Sequence, residues 1–183
     1  MGLFLRMRIF QCIIFAIAIV SCNDPKDSNS DTNNPSVYPV FVQDLLEEID
    51  RFPDSAELRV QLIDTMDSLN LTKDALSQID SLITRDPGNY GVWFRKGELA
   101  INSNDTALAI RSFSSAANIY SNPDVILTLA NLYAAQKNKL ALELCNSVIA
   151  QKPDRSYTAH SYYIMGLYEE NTGNTKNAIY NFN

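Results

Sequence analysis

The sequence contains few of the residues that build disulfide frameworks, metal sites and catalytic centres. It has one histidine and three cysteines in 183 residues, and the cysteines lie far apart, at positions 12, 22 and 145. Such spacing excludes a disulfide framework and a clustered metal site. No Ser-His-Asp set, glycine-rich phosphate loop or His/Cys metal-ligand spacing is present either. The sequence therefore predicts no enzyme, no cofactor and no metal.

Basic residues are also scarce. There are 15 Lys and Arg against 21 Asp and Glu, which gives a formal net charge of -6. Proteins that bind nucleic acid need a basic surface, so nucleic acid is excluded as a partner. Hydrophobic residues make up 46% of the chain and aromatic residues 10%, enough for one domain with a sizeable core.

The apolar stretch at residues 9–20 is too short to cross a bilayer, because a spanning helix needs about 20 apolar residues. It follows Arg6 and Arg8 and ends at Ser21-Cys22, the arrangement of an export signal over residues 1–21. Residues 19–22, Ile-Val-Ser-Cys, resemble the lipobox of bacterial lipoproteins. This resemblance implies cleavage before Cys22 and attachment of acyl chains, such as palmitate, that hold the protein on a membrane. The alternative is a cysteine that merely ends a signal anchor.

The next segment, residues 22–38, is predicted to be a flexible tether. It is built from Asn, Asp, Ser and Pro and has too few apolar residues to form a core. Lys26-Asp27 resembles the charged export tag of surface lipoproteins in Bacteroidetes, although a plain solvated tether is the alternative. Asn23 replaces the Asp of an inner-membrane retention signal, which favours the outer membrane.

From residue 40 onward the apolar residues recur at steps of three and four, which predicts an all-α fold. The breaks in this pattern are themselves periodic. Phe52-Pro53-Asp54-Ser55 is followed by Asp86-Pro87-Gly88-Asn89, and the two prolines are 34 residues apart. A period of this length indicates a repeat protein.

Residues 93–116 suggest how one repeat is packed. Trp93, Gly97 and Ala100 share one predicted helix, and Ala109, Phe113 and Ala116 share the next. Two antiparallel helices approach closely where side chains are small, so we expect Gly97 and Ala109 at the crossing, with the two aromatic rings in wider gaps. The spacing resembles the tetratricopeptide repeat, W-x2-L-G-x2-Y followed by A-x3-F and Pro.

The resemblance covers about 140 residues and implies a right-handed α-solenoid of antiparallel helix pairs, with about 3.5 repeats. We assign a capping helix to residues 39–55, which would cover the first face of the stack. The repeats follow at residues 56–89, 90–122, 123–155 and, incomplete, 156–183. Because the last unit stops inside its second helix, we expect either a truncated form of a longer repeat protein or fraying of residues 174–183.

In tetratricopeptide arrays the first helix of each pair lines a concave groove, through its fifth, ninth and twelfth positions. The resemblance places ten residues there: Val60, Asp64, Asp67, Phe94, Glu98, Ile101, Leu127, Asn131, Ala134 and Tyr163. The floor would be apolar and the walls acidic. This favours a protein or peptide partner with hydrophobic anchors and Lys or Arg. The alternative is that Val60, Phe94 and Leu127 pack against neighbouring repeats.

Asp followed by Ser or Thr and then a small or aliphatic residue recurs in the chain. It resembles the O-glycosylation triplet of Bacteroidetes envelope proteins, with Ser55 and Thr106 as the most accessible acceptors. The alternative is ordinary use of these residues at helix caps and surfaces. Cys145 and His160 are interpreted as structural residues.

Two functions fit these features. The protein is a lipid-anchored envelope adaptor that binds a protein or peptide in its groove, or it is an architectural subunit of an outer-membrane assembly or secretion complex that uses its convex and end surfaces.

We predict that the mature chain begins at a lipidated Cys22 and partitions into detergent. Cys22→Ala should leave an uncleaved precursor, because the thiol that accepts the lipid is gone, whereas Cys12→Ala should be processed normally. Mass spectrometry of the envelope fraction checks both. A mature protein that is soluble and unmodified would contradict lipidation.

Overall fold

The computed structural model describes residues 38–183. This part of the chain is entirely helical, with nine α-helices and no strand, as the sequence predicts. The predicted signal, the tether up to residue 37 and Cys22 lie outside the described residues. The helices are α1 (Val40–Arg51), α2 (Ala56–Ser68), α3 (Thr72–Arg85), α4 (Tyr90–Asn102), α5 (Thr106–Ile119), α6 (Pro123–Ala135), α7 (Leu140–Ala150), α8 (Arg155–Asn171) and α9 (Thr175–Phe182).

Side-chain caps fix where several helices begin. Before α2, α4, α5 and α6, a side-chain oxygen accepts a hydrogen bond from the backbone N–H three residues later, which satisfies a donor that the helix cannot. The capping residues are Ser55, Asn89, Asp105 and Asn122. Pro123 then opens α6, at the position where a missing N–H is tolerated.

The turn inside each helix pair has the same backbone geometry four times. A left-handed residue follows the first helix at Asn70, Asn104, Lys137 and Gly173, with φ between 57° and 83°, and these residues are 34, 33 and 36 positions apart. In each turn the next N–H bonds the carbonyl five residues earlier, as when Leu71 donates to Met66 (2.8 Å) and Asp105 to Ala100 (2.8 Å). This is the Schellman motif, and its recurrence identifies the structural repeat.

The helices pack in sequence order as pairs, α2 with α3, α4 with α5, α6 with α7 and α8 with α9, and each pair packs on the next. Helix α1 packs on α2 and buries Val42 and Ile49 in the same cluster as Leu62 and Met66. Hydrogen bonds also join successive first helices. They link Asn122 to Tyr90, Tyr157 to Asp124 and Asn171 to Ala134, across 32, 33 and 37 residues.

Gly97 lies directly beneath the ring of Phe113. A Cβ added to Gly97 would lie 2.6 Å from Cζ of Phe113, which no real contact permits. The expectation that Phe113 fills a wider gap away from the small residues is therefore wrong, because Gly97 makes room for the ring itself. The same contact recurs in the last pair, where a Cβ on Gly166 would lie 2.3 Å from the ring of Phe182.

Helix α8 differs from the other first helices in length. It has 17 residues where α2, α4 and α6 have 13, so the additional residues near its start are helical. At the end of the chain, α9 is formed and buries Ala178, while Ile179 and Tyr180 are exposed. Fraying of residues 174–183 remains an expectation.

We predict that Gly97→Ala lowers the free energy of unfolding by about 1–2 kcal/mol. A helical Gly→Ala change normally stabilises by up to about 1 kcal/mol, but the overpacking against Phe113 costs about 1–3 kcal/mol. Gly91→Ala is the matched control, because its Cβ would meet only Asn89 Oδ1 at 3.4 Å. Denaturant unfolding measures both.

The double variant Gly97→Ala with Phe113→Leu should recover part of the loss, since a smaller side chain leaves space for the methyl group. If Gly97→Ala stabilised the protein as Gly91→Ala does, the seating of Phe113 on Gly97 would be refuted.

Candidate functional site

The first helices of the four pairs carry the residues predicted to line a groove. Three of these residues are apolar and exposed: the exposed fraction is 46% for Val60, 42% for Ile101 and 54% for Tyr163. Asp64 and Asn131 are exposed as well. We call the surface formed by exposed residues of α2, α4, α6 and α8 the first-helix face.

Two apolar residues predicted for the groove are in the core instead. Leu127 is 1% exposed and belongs to a buried cluster with Ile164 of α8. Tyr157, in the first turn of the long helix α8, packs against the same cluster, so α8 covers the side of α6 that carries Leu127. The prediction that Leu127 lines a groove is therefore wrong. Ala134, 1% exposed, is buried in this cluster too.

Phe94 also has a structural role. Its ring stacks on Tyr90 with centroids 5.7 Å apart and meets the edge of Phe113 at 5.1 Å. It is half-buried against the core of its repeat. Phe94 and Leu127 therefore pack against neighbouring residues, which was the alternative to lining a groove, whereas the side chain of Val60 is partly exposed.

The acidic residues of the face surround one arginine. Nη2 of Arg95 lies 2.9 Å from Asp64 Oδ1 and 3.0 Å from Asp67 Oδ2, and Nη1 lies 3.4 Å from Glu98 Oε2. Asn102 donates a further hydrogen bond to Asp67 at 3.3 Å. We call these five residues the Arg95 cluster. It ties α2 to α4 and carries three acids and one base, a formal charge of -2.

The guanidinium of Arg95 stays charged in this setting. Partial burial acts to lower the pKa of Arg95, but hydrogen bonds and charges from Asp67 and Asp64 outweigh it, so the pKa is raised. A carboxylate ligand would find this arginine already paired with three acids. A basic ligand would meet a face that is still negative, though less so than the acids alone suggest.

Nothing in the local sequence around Arg95 indicates that it is the centre of an ion-pair network. Its aspartate partners lie 31 and 28 residues earlier, close to one repeat length. That spacing is the signal that could have found the cluster, since residues about one repeat apart come together when repeats stack.

The residues proposed for glycosylation lie at helix starts. Ser55 caps α2, and its Oγ accepts a hydrogen bond from Leu58 N at 3.3 Å. Thr106 is the exposed first residue of α5. Glycosylation of either residue remains a prediction.

Cys145 is fully buried, and burial raises the pKa of its thiol to about 12. The thiol is therefore protonated at neutral pH and acts as a small apolar side chain. His160 lies exposed on α8. Within residues 38–183 no three His, Cys, Asp or Glu side chains are grouped to hold a metal ion, and no helix has the length and apolar character needed to cross a bilayer.

Comparison with solved structures shows the fold. A crystal structure of MamA aligns with a TM-score of 0.64 and 19% identity, covering 77% of this chain and 82% of that chain. A second MamA structure has the same score and identity and covers 76% of that chain. The structure MamA MSR-1 C2 has a TM-score of 0.62 and 15% identity, covering 80% of that chain. No protein-family model and no curated protein sequence matches this chain.

These likenesses establish a tetratricopeptide-type fold of stacked helix pairs. At sequence identities of 15–19%, these similarities show the fold alone. Proteins with folds of this type bind many unrelated partners.

We predict that Arg95→Gln lowers the free energy of unfolding by about 1 kcal/mol, because three acids then face one another without their shared cation. Arg111→Gln is the control, since Arg111 is exposed on α5 and lies outside the cluster. Urea unfolding at low and high salt measures both. An Arg95→Gln protein as stable as the wild type at low salt would show that the cluster does not hold α2 to α4.

Proposed function

We propose that this protein is a lipid-anchored adaptor of the cell envelope, held on the outer membrane through Cys22, and that it binds a protein segment on its first-helix face. The observation that carries the proposal is the exposure of Val60, Ile101 and Tyr163 on three first helices. Side chains of this kind stay exposed at a cost unless a partner covers them.

The charge of the face supports a particular kind of partner. The Arg95 cluster retains a formal charge of -2 beside exposed Val60 and Ile101, so a segment with hydrophobic anchors and Lys or Arg fits both features. The apolar contacts would supply most of the affinity, and the charges would supply orientation and salt dependence. No catalytic activity forms part of this proposal.

The second candidate is an architectural subunit of an outer-membrane assembly or secretion complex. Exposed apolar residues on α1 and α9 favour it: Val40 (71%) and Phe41 (51%) on α1, and Ile179 (57%) and Tyr180 (79%) on α9. Such surfaces would pack against neighbouring subunits.

Affinity capture from the native envelope with quantitative mass spectrometry separates the two. The variant Ile101→Lys with Asn131→Lys places two positive charges on the first-helix face, and we expect it to lose its main partner by about tenfold or more. The matched control, Ser77→Lys with Asn118→Lys, adds the same charge to exposed positions on the second helices α3 and α5. It should retain the partner.

If the first-helix variant captures the partner as well as the wild type does, the adaptor function is wrong. If the partner is lost only on Tyr180→Ser or Phe41→Ser, the architectural function is favoured.

A further inference from the structure

A cavity of about 540 Å³ lies between α2, α3 and α4, at the edge of the first-helix face. Apolar side chains from all three helices form its wall, and a volume of this size lies within the usual range for ligand sites. The apolar lining residues are Ala56, Val60, Ile63, Ile79, Leu82 and Val92. Val60 is nearly half exposed and Val92 is half-buried, so an apolar group seated there would remove both from water.

Two ion pairs flank the cavity. Arg95 is held by Asp64 at 2.9 Å, and Arg85 lies 3.8 Å from Asp54 while also donating to the carbonyl of Pro53. Both arginines line the cavity, and neither is left without an acidic neighbour. An anionic ligand would have to displace a carboxylate to reach either one, so the flanking charges disfavour an acid.

The remaining charged residue in the lining is Asp86. It makes no ion pair with any of the described residues, and its Oδ1 accepts one hydrogen bond from Gly88 N at 3.2 Å. It is also the C-cap of α3, so its negative charge lies at the negative end of the helix dipole. The three acids and two bases of the lining give a formal charge of -1. A cation beside Asp86 would offset this charge and the repulsion between Asp86 and the helix dipole.

We propose that this cavity receives one large apolar side chain of the partner segment, and that a Lys or Arg next to it in that segment pairs with Asp86. The proposal rests on the proposed function and deepens it, because it names where the segment is anchored. The Asp64–Arg95 pair belongs both to the cavity lining and to the Arg95 cluster, so a segment anchored here can continue along the first-helix face.

Gly91 offers a direct way to close the cavity. It lines the cavity at the second position of α4, and a Cβ there meets nothing closer than Asn89 Oδ1 at 3.4 Å, so a side chain is tolerated. Gly91→Leu is designed to place a leucine side chain in the space that the apolar anchor would fill. Asn118→Leu is the control, because it adds the same side chain at an exposed position of α5 that does not line the cavity.

The probe is a displayed library of short random peptides, selected on the full chain in detergent micelles. Selected peptides should carry Phe, Trp or Leu within two positions of Lys or Arg. Their affinity should fall about tenfold or more on Gly91→Leu and by less than about twofold on Asn118→Leu. If Gly91→Leu binds them as tightly as the wild type does, the cavity is not the anchor site.

Asp86→Asn tests the charged part and does not depend on how Gly91→Leu folds. It should weaken a selected peptide about threefold, and a peptide with its basic residue changed to alanine should not respond. Equal losses for both peptides would contradict the pairing with Asp86.

The failures of the two proposals are distinguishable. If the selected peptides bind Gly91→Leu as tightly as the wild type but no longer bind Ile101→Lys with Asn131→Lys, the peptides bind the first-helix face and only the cavity proposal is overturned. If no peptide is selected, or if neither variant affects binding, both proposals are contradicted.

Discussion

The stacking of the helix pairs depends on the close approach of the two helices within each pair. In the second pair Gly97 lets the ring of Phe113 sit against the backbone of α4, and this ring also contacts Phe94 in an edge-to-face arrangement. Phe94 stacks on Tyr90, and the hydroxyl of Tyr90 accepts a hydrogen bond from Asn122, which caps the next pair. A continuous series of contacts through three aromatic rings thus connects Gly97 to the start of the following repeat. The packing of a pair and its stacking on the next are therefore coupled.

This coupling also sets the chemistry of the first-helix face. Stacking brings α4 beside α2, so that Arg95 forms ion pairs with Asp64 and Asp67. These pairs join the two helices and neutralise part of the negative charge of the face. The face retains a net charge of -2 beside the partly exposed side chains of Val60 and Ile101. The ion pairs are half-exposed, so their contribution to stability is modest and salt-dependent, and they define the electrostatic character of the face more than its rigidity.

Much of the fold could be predicted from short-range signals. The 34-residue interval from Pro53 to Pro87 and the recurring small and aromatic residues were enough for helix pairs of tetratricopeptide type. Side-chain surroundings were harder, because they depend on residues a full repeat away. Leu127 has a groove position by its place in the repeat, but the longer α8 covers it. The pairing of Arg95 and the cavity beside Val92 arise only when α2, α3 and α4 are brought together.

The proposed adaptor function requires that a partner segment lies on the first-helix face. Site-specific photocrosslinking in the native envelope tests it most directly, with p-benzoylphenylalanine introduced in place of exposed Ile101 on α4 or, as the reference position, exposed Arg111 on α5. We expect a discrete crosslinked partner from position 101 and none from position 111, with the crosslink weakening as salt rises. A partner crosslinked from position 111 but not from position 101 would contradict it.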